Sequence, residues 1–449
     1  MIRSRMNIKF LYLLTTALLF AFAGNAQTNT LSLKQSLEFA LQNHPSLDIF
    51  KNEQVIADYK AKEALASYLP QVNANLAADD NLKLQTTVIP AGVFGPSETK
   101  VSFGNKYTTV ATLQAEQTIF DQSMLLGIKA AKPNTQLADL NKEKNDEIII
   151  YNAATAYYQV MIYKEQEKLL AENEKKYQEL LPTLKLQYEK GVAKKIDYDR
   201  VRVNLLNIQS QKQVVQTNYQ VALNQLKNAI GMPLNAPLTI TDSVNISTAL
   251  QPLANQDFSP SNKLDYKIQQ QNIELYNIDV KRKKASYLPT VSMYYRYGQQ
   301  AFGGTISKTY GNWYDFSGVG LKVNVPIFSG MRRNSQLKQS QLSLENAMNN
   351  LKISETNLTM QYQNAQTKLL SSYTNAQTNK ENLSLAQDVF TTTSLQYQKG
   401  TTSLTELLNA DYSYKEAQNN YITSVINYYV ANIELERAKG TLKTFINTL

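Results

Sequence analysis

Residues able to carry out chemistry are scarce in this sequence. It contains no cysteine and a single histidine, His44, among 449 residues. His44 lies between Asn43 and Pro45, where a helical pattern stops, so a helix-end role is far more common for it than a ligand role. The sequence also lacks a phosphate-binding glycine loop. We therefore expect no enzyme activity, no metal site and no cofactor.

The charge of the chain does not indicate a nucleic-acid binder. The formal net charge is +9, and removing three cations of an N-terminal leader leaves +6. A nucleic-acid-binding surface concentrates Lys and Arg with aromatic residues in one patch. Here the cations are distributed among Glu, Asp, Gln and Asn, which is typical of solvated helix faces.

The N-terminus has the pattern of a secretory signal peptide. Arg3, Arg5 and Lys9 precede an apolar run from Phe10 to Ala23, and the small-residue site Gly24-Asn25-Ala26 follows. We expect residues 1–26 to be removed after export. No later stretch is apolar and long enough for a membrane-spanning helix, which needs roughly 20 residues.

The remaining chain contains an internal duplication with its markers in the same order. From the second marker to the third, Asp121 to Gly191 spans 70 residues and Ser329 to Gly400 spans 71. Between the first two markers the first copy is longer by 11 residues, which predicts an exposed loop there. The three marker pairs are 66–72 with 285–291, 119–121 with 327–329, and 186–191 with 395–400.

These markers predict the domain organisation. The first repeat covers 27–231, with a β-hairpin at about 71–118 and a helical tip near 191. The second repeat covers 261–440, with a β-hairpin at about 290–326 and a tip near 400. A proline-rich linker at 232–260 lies between them, and 441–449 form a C-terminal tail.

Each predicted β-hairpin alternates apolar and polar residues. After Tyr287-Leu288-Pro289, the apolar residues are Val291, Met293, Tyr295 and Tyr297, and the return strand repeats the pattern from Val319 to Val325. The first copy shows the same alternation more weakly. Strands of about ten residues with this pattern are typical of transmembrane β-barrels. An amphipathic hairpin packed on a soluble core remains the alternative.

Long helical segments follow each β-hairpin. Apolar positions recur three, four, seven or eight residues apart, as in a coiled coil, and glycine predicts a left-handed turn at Gly191 and Gly400. Four strands are too few to close a barrel, whereas three chains supply about 12 and leave an aqueous lumen. We therefore expect a mixed α and β membrane protein that forms a homotrimer.

The sequence resembles the TolC family of outer-membrane efflux channels over essentially the whole mature chain. The resemblance rests on three motifs in their order. They are Ala40-Leu41-Gln42-Asn43-His44-Pro45-Ser46-Leu47, Val325-Pro326-Ile327-Phe328-Ser329-Gly330, and Tyr397-Gln398-Lys399-Gly400 with Glu406-Leu407-Leu408-Asn409-Ala410. This resemblance implies a trimeric 12-stranded β-barrel continued by a periplasmic α-helical barrel, with the linker and tail forming an equatorial collar.

The resemblance also implies roles for residues of the second tip. Glu406 and Asn409 occupy positions where the family narrows the closed pore with acidic rings. Tyr397 and Thr402 are among the positions that latch neighbouring helices. Asn409 is neutral where an acid is common, and Thr402 replaces an arginine latch. The alternative for Glu406 is an ordinary solvated helix face.

The two tips are implied to contact a periplasmic adaptor protein and an inner-membrane efflux pump or ABC transporter. Gly191 and Gly400 lie in that contact by resemblance. Beside Gly191, the charges of Lys194, Lys195 and Asp197 could select the adaptor, although a solvated tip explains them equally well.

The leading hypothesis is a passive channel for efflux or type I secretion, in the outer membrane of a Gram-negative bacterium, with its helical part in the periplasm. A structural coiled-coil protein of the envelope without a pore is the alternative, and a periplasmic adaptor is a third possibility.

Overall fold

A computed structural model describes residues 29–242 and 258–448. The predicted signal peptide 1–26, the linker residues 243–257 and the last tail residue Leu449 lie outside the described residues. The described residues fall into two compact units. One lies within Met1–Ile49, Lys142–Leu264 and Glu355–Leu449, and the other within Phe50–Asn141 and Asp265–Ser354.

The helices and strands of the first repeat and linker follow one another in this order: β1 (Asn29–Leu31), α1 (Leu33–Asn43), α2 (Ser46–Ala66), β2 (Gln71–Asp80), β3 (Thr86–Ile89), β4 (Thr99–Ser102), β5 (Tyr107–Phe120), α3 (Gln122–Lys129), α4 (Ala131–Glu189), α5 (Lys195–Ile230) and β6 (Leu238–Ile240). The second repeat and tail comprise α6 (Leu264–Ala285), β7 (Thr290–Gly303), α7 (Ile306–Thr309), β8 (Trp313–Asn324), α8 (Arg332–Gln398), α9 (Leu404–Lys439) and α10 (Leu442–Phe445). None of the helices within the described ranges is long and apolar enough to cross a membrane.

Both predicted β-hairpins join in one antiparallel sheet. Its strand order is β2-β5-β7-β8, so the return strand of the first copy pairs with the outgoing strand of the second. Each copy enters the sheet through a proline, Pro70 before β2 and Pro289 before β7. Proline cannot donate a backbone hydrogen bond and disfavours helix in the residue before it, so the helix ends there and a strand begins.

One face of this sheet is apolar and exposed. In the β7–β8 pair, Val291 is opposite Val323, and Met293 is opposite Leu321. Leu321 is 70% exposed, and Leu76 on β2 is 74% exposed. Because side chains alternate between faces along a strand, these residues line the same surface and leave a large apolar area uncovered within the described chain.

The longer first copy carries its additional residues between β2 and β5. Strands β3 and β4 form a separate small hairpin there, with Thr86 opposite Ser102. The corresponding connection in the second copy contains only the single helical turn α7. The insertion therefore extends a loop at the end of the sheet away from the helices, as the sequence comparison predicted for an exposed loop.

The long helices end in matched glycine turns. Gly191 after α4 has φ 75°, and Gly400 after α8 has φ 71°. Gly231 after α5 and Gly440 after α9 are also left-handed, with φ 74° and 82°. A glycine adopts this conformation without the clash that a Cβ atom creates, so it ends each helix cleanly.

The unit that contains both helical tips has its largest core around α1, α4, α5 and α9. Leu37, Ile150, Tyr157, Leu226 and Ile426 are almost fully buried in it. A parallel pair of short strands, β1 and β6, lies at its border. The Asp242 carboxylate fixes this border, because it accepts hydrogen bonds of 2.8 Å from both the Leu33 amide and the Tyr157 hydroxyl.

Candidate functional site at the helical tips

The two helical tips have nearly identical backbones. At the first tip, Gly191 N–H donates to the Tyr188 carbonyl at 2.9 Å, and Val192 N–H donates to the Gln187 carbonyl at 2.8 Å. At the second tip, the equivalent bonds from Gly400 and Thr401 measure 3.0 and 2.9 Å. These two hydrogen bonds form a Schellman motif, which gives hydrogen-bond donors to the last carbonyl groups of a helix. Both tips therefore end their first helix in the same hydrogen-bonded turn.

The second tip places Glu406 and Asn409 on one side of α9. Ser403 caps this helix, because its hydroxyl accepts a hydrogen bond from the Glu406 amide at 3.2 Å. Glu406 lies in the first helical turn, where a carboxylate is favoured by the helix dipole. Asn409 follows three residues later, so the two side chains lie one above the other. Both residues are exposed in the single chain.

Tyr397 and Thr402 lie in a groove of about 870 Å³, and both are half-buried. Asp197 of the first tip also lines this groove. Burial raises the pKa of the Tyr397 hydroxyl, and the charge of Asp197 raises it further. The structure thus brings Tyr397 of the second tip close to Asp197 of the first.

The basic residues predicted at the first tip lie at the start of α5. Lys194 is the residue before the helix, and its side chain does not cap it. Lys194 and Lys195 are both exposed, whereas Asp197 is half-buried in the first turn. The structure therefore separates these three residues into an exposed basic pair and an inward-facing acid.

A contact between the tips was missed by the sequence analysis. The Arg200 guanidinium on α5 donates a hydrogen bond of 2.6 Å to the Thr405 hydroxyl on α9. Both residues line a second groove of about 410 Å³, which also includes Asn409. Thr405 directly precedes Glu406, so the contact joins the first repeat to the helical turn that carries the predicted constriction.

A buried polar cluster deeper between the tips was also missed. The Tyr177 hydroxyl on α4 donates to the Asp411 carboxylate on α9 at 2.7 Å. Asp411 also pairs with Lys415 one turn later, and the Lys415 ammonium lies 4.1 Å from the centre of the Tyr177 ring. We call Tyr177, Asp411 and Lys415 the buried clasp. It joins the two repeats only two residues beyond Asn409.

The clasp shifts the pKa values of its members through burial and charge. Burial raises the pKa of Tyr177 well above its ordinary value of 10.0, and the neighbouring Asp411 charge raises it further. Burial lowers the pKa of Lys415, although Asp411 opposes this shift. A cation held partly out of water needs its carboxylate partner, because leaving either charge unpaired there is costly.

Apolar packing surrounds the clasp and unites the two tips. Tyr177 and Leu184 of α4, Val201 of α5, and Leu404 and Leu407 of α9 are buried together. Because both repeats contribute to one cluster, the turns containing Gly191 and Gly400 are held by a common core. Movement of one tip away from the other would therefore expose apolar surface as well as break the clasp.

A sequence signal existed for only part of these contacts. Asp411 and Lys415 are four residues apart, which is the spacing of an ion pair on one helix face. Tyr177 lies 234 residues from Asp411, and no local pattern connects them. No group of three acidic or histidine residues suited to a metal ion occurs among the described residues.

A protein-family model and several known proteins are similar to this chain. The chain matches the family described as outer membrane efflux protein over residues 37–232 and 261–441. It is 23% identical over 351 residues to the outer membrane protein TolC of Escherichia coli K12, covering 75% of this chain and 70% of TolC.

One further relative and one solved structure are also similar to this chain. The chain is 21% identical to the alkaline protease secretion protein AprF of Pseudomonas aeruginosa, over 74% of this chain and 70% of AprF. Among solved structures, CusC, which is described as forming a transmembrane channel, superimposes with a TM-score of 0.75 at 16% identity and 91% coverage of both chains. Since the family match covers most of the chain, the protein belongs to the outer membrane efflux protein family, whose members are TolC-type channels of the Gram-negative outer membrane and not enzymes.

Proposed function

We propose that this protein forms a passive trimeric channel through which a partner transporter expels its cargo across the outer membrane. The observation that carries the proposal is the sheet β2-β5-β7-β8. Among the described residues, its edge strands β2 and β8 each pair on one side only, and its apolar face is exposed. Unpaired strand edges in lipid leave backbone groups without hydrogen bonds, which costs several kcal/mol per group.

Three copies satisfy both requirements. They contribute about 12 strands, which close into a barrel with an aqueous lumen, whereas two copies would give about eight and a largely filled interior. The exposed residues Leu76, Val319 and Leu321 would then face lipid. The opposite face, which carries Arg296 and Lys322, would line the water-filled lumen.

This assembly can be tested with a matched pair of substitutions on β8. Leu321→Arg places a charge on the proposed lipid face, whereas Asn324→Arg adds the same charge on the opposite face. Native mass spectrometry in detergent should show trimers for the wild type and for Asn324→Arg, with strong loss for Leu321→Arg. A monomer that is soluble without detergent would contradict the channel and favour a coiled-coil envelope protein without a pore.

The tips of the helical hairpins are the proposed gate. In a trimer, three copies of Glu406 and Asn409 would surround one axis, and the acidic groups would favour cations. Tyr397, Thr402 and Asp197 would hold the closed position. The half-buried placement of Tyr397 and its proximity to Asp197 support this role.

Glu406 can be tested against Glu416, which is also exposed on α9. Glu406→Ala should reduce cation selectivity, measured as the reversal potential across a planar bilayer with a salt gradient. Glu416→Ala should leave it unchanged. Equal reversal potentials for the wild type and Glu406→Ala would remove Glu406 from the constriction.

The proposed protein partners of the channel are a periplasmic adaptor and an inner-membrane efflux pump or ABC transporter. The exposed pair Lys194 and Lys195, together with the turns at Gly191 and Gly400, forms the surface available to an adaptor. The relatives are named for an outer membrane protein and for protease secretion. Either efflux or type I secretion fits the channel.

A further inference from the structure

A strongly basic cluster lies where the second repeat joins the sheet. Helix α6 ends with Lys281, Arg282, Lys283 and Lys284, and helix α8 begins with Arg332 and Arg333. We call these six residues the junction cluster. The ten residues before β7 and the ten after β8 contain these six cations and no acidic residue. Asp279, one residue further from the sheet, pairs with Arg282 at 3.6 Å, so one of the six cations has an acidic partner on its own segment.

The equivalent part of the first repeat is neutral. The ten residues before β2 contain one cation and one acid, Lys62 and Glu63. The ten residues after β5 also contain one of each, Asp121 and Lys129. The duplication therefore preserved the fold of the junction while only the second copy carries the charge, so helix formation alone does not require it.

Sheet register places both parts of the junction cluster at one end of the same strand pair. Thr290, the first residue of β7, is opposite Asn324, the last residue of β8. Helix α6 ends five residues before Thr290, and α8 begins eight residues after Asn324. Both segments belong to one compact unit. The six cations therefore occupy the helix end of the β7–β8 hairpin.

Exposed apolar side chains accompany this charge. The connection 325–331 between β8 and α8 has neither helix nor strand. Within it, Ile327 is 93% exposed, Phe328 is 80% exposed and Met331 is 66% exposed. Neighbouring exposed apolar residues that are bordered by charged groups are typical of a protein-binding or membrane-binding surface.

We propose that the junction cluster binds the headgroups of anionic phospholipids, while Ile327 and Phe328 enter the acyl region beside them. This rests on the proposed function, in which β7 and β8 cross the membrane and their helix ends lie at its periplasmic surface. Lysine binds phosphate as a point charge, and arginine binds it through paired N–H groups. Cations next to exposed aromatic and aliphatic residues match the chemistry of a lipid interface.

Anionic lipid fits these observations better than a soluble acidic partner. A soluble partner would account for the six cations, but it would leave Ile327 and Phe328 to be covered separately. A lipid provides the phosphate and the apolar chain in one molecule, at the depth fixed by the strand ends. A trimer would carry three such sites, alternating with three neutral junctions from the first repeat.

The test compares lipid binding to two variants with the same loss of charge. The first is Lys283→Gln/Lys284→Gln/Arg332→Gln/Arg333→Gln in the junction cluster. The control is Lys190→Gln/Lys194→Gln/Lys195→Gln/Lys399→Gln at the helical tips. Purified protein in detergent is titrated with phosphatidylglycerol and with phosphatidylcholine, and bound lipids are counted by native mass spectrometry.

The wild type and the tip control should prefer phosphatidylglycerol by about tenfold or more, with the preference weakened by salt. The junction variant should lose most of that preference. A second variant, Arg332→Lys/Arg333→Lys, keeps the charge and should retain binding, which separates charge loss from misfolding.

Three results would overturn the proposal. They are an unchanged preference in the junction variant, an equal loss in the tip control, and displacement of phosphatidylglycerol by inorganic polyphosphate at equal charge concentration. The last result would show a general polyanion site. Planar-bilayer conductance of the same samples distinguishes failure of the lipid site from failure of the channel. Wild-type protein that conducts but does not prefer phosphatidylglycerol contradicts only the lipid site. A wild type that does not conduct contradicts the channel itself.

Discussion

Asp411→Asn removes the charge at the centre of the buried clasp while keeping the size of the side chain. The Tyr177 hydroxyl then donates to a neutral amide oxygen in place of a carboxylate. It loses only the difference between a hydrogen bond to a charged group and one to a neutral group, about 1 kcal/mol. Lys415 also loses its anionic partner. An unpaired charge that is fully buried costs about 3–5 kcal/mol. The Lys415 side chain is 19% exposed, so its remaining hydration lowers that cost. We expect Asp411→Asn to destabilise the packed tips by a total of about 2–3 kcal/mol.

Hydrogen exchange is the appropriate assay, because it reports local opening of the tip helices without unfolding the whole protein. An energy of 2–3 kcal/mol corresponds to roughly 30- to 150-fold faster exchange. We expect this increase in residues 404–415. Tyr412→Phe is the control on the same helix, because Tyr412 is 69% exposed, and it should change exchange little.

A triple substitution separates the polar cluster from packing. Tyr177→Phe/Asp411→Leu/Lys415→Met replaces all three polar groups with apolar groups of similar size, so that no buried donor or charge is left without a partner, and such replacements are often neutral or stabilising. We expect near wild-type protection of residues 404–415 in this variant. The reasoning would be refuted if the triple variant exchanged as fast as Asp411→Asn, or if Asp411→Asn exchanged no faster than Tyr412→Phe.

Three other predictions follow from the described residues. Gly231→Ala should lower the melting temperature much more than Gly400→Ala, because both glycines have positive φ but only at Gly231 would a Cβ lie 2.7 Å from the His44 Cα; equal shifts would contradict this. Burial and Asp242 raise the pKa of Tyr157, so the neutral phenol stabilises the fold fully below pH about 10, and this contribution is lost as the pH rises further. Tyr157→Phe should therefore flatten the alkaline part of a curve of unfolding free energy against pH. An unchanged curve would contradict this role of Tyr157. Arg200→Ala should increase the open fraction of single-channel recordings, because it removes the bond to the turn that carries the predicted constriction, and identical gating in the variant would exclude that contact as a restraint.

Local sequence patterns predicted the parts of the fold that local physics determines. Proline at 70 and 289 marks the change from helix to strand, and Gly191 and Gly400 adopt the left-handed turns that were expected. The alternation from Val291 to Tyr297 corresponds to β7, because one face of each strand must meet a different environment from the other.

The contacts that join distant segments could not be read from the sequence. Strands β1 and β6 have three residues each and no detectable periodicity, yet they pair in parallel across more than 200 positions. The segment 232–260 was predicted only as a proline-rich linker, and β6 lies inside it. Short strands of this kind are determined by the surrounding core, including Tyr157 and Asp242, and not by their own residues.

The candidate site, like the fold, could be predicted from the sequence only in part. The family resemblance identified Glu406, Asn409, Tyr397 and Thr402 by position, and their roles stay predictions. The buried clasp was not identified, because Tyr177 becomes its partner only when two hairpins from different repeats pack together. Its ion pair had a visible four-residue spacing, but the same spacing is common on solvated helices and does not indicate burial.

The pore itself is tested most directly by single-channel recording of the purified, detergent-solubilised protein in planar lipid bilayers. We expect long-lived current steps of uniform size through a trimeric pore that is selective for cations. Protein that is properly folded by circular dichroism but inserts into no bilayer and passes no current would contradict a channel formed by the β2-β5-β7-β8 sheet.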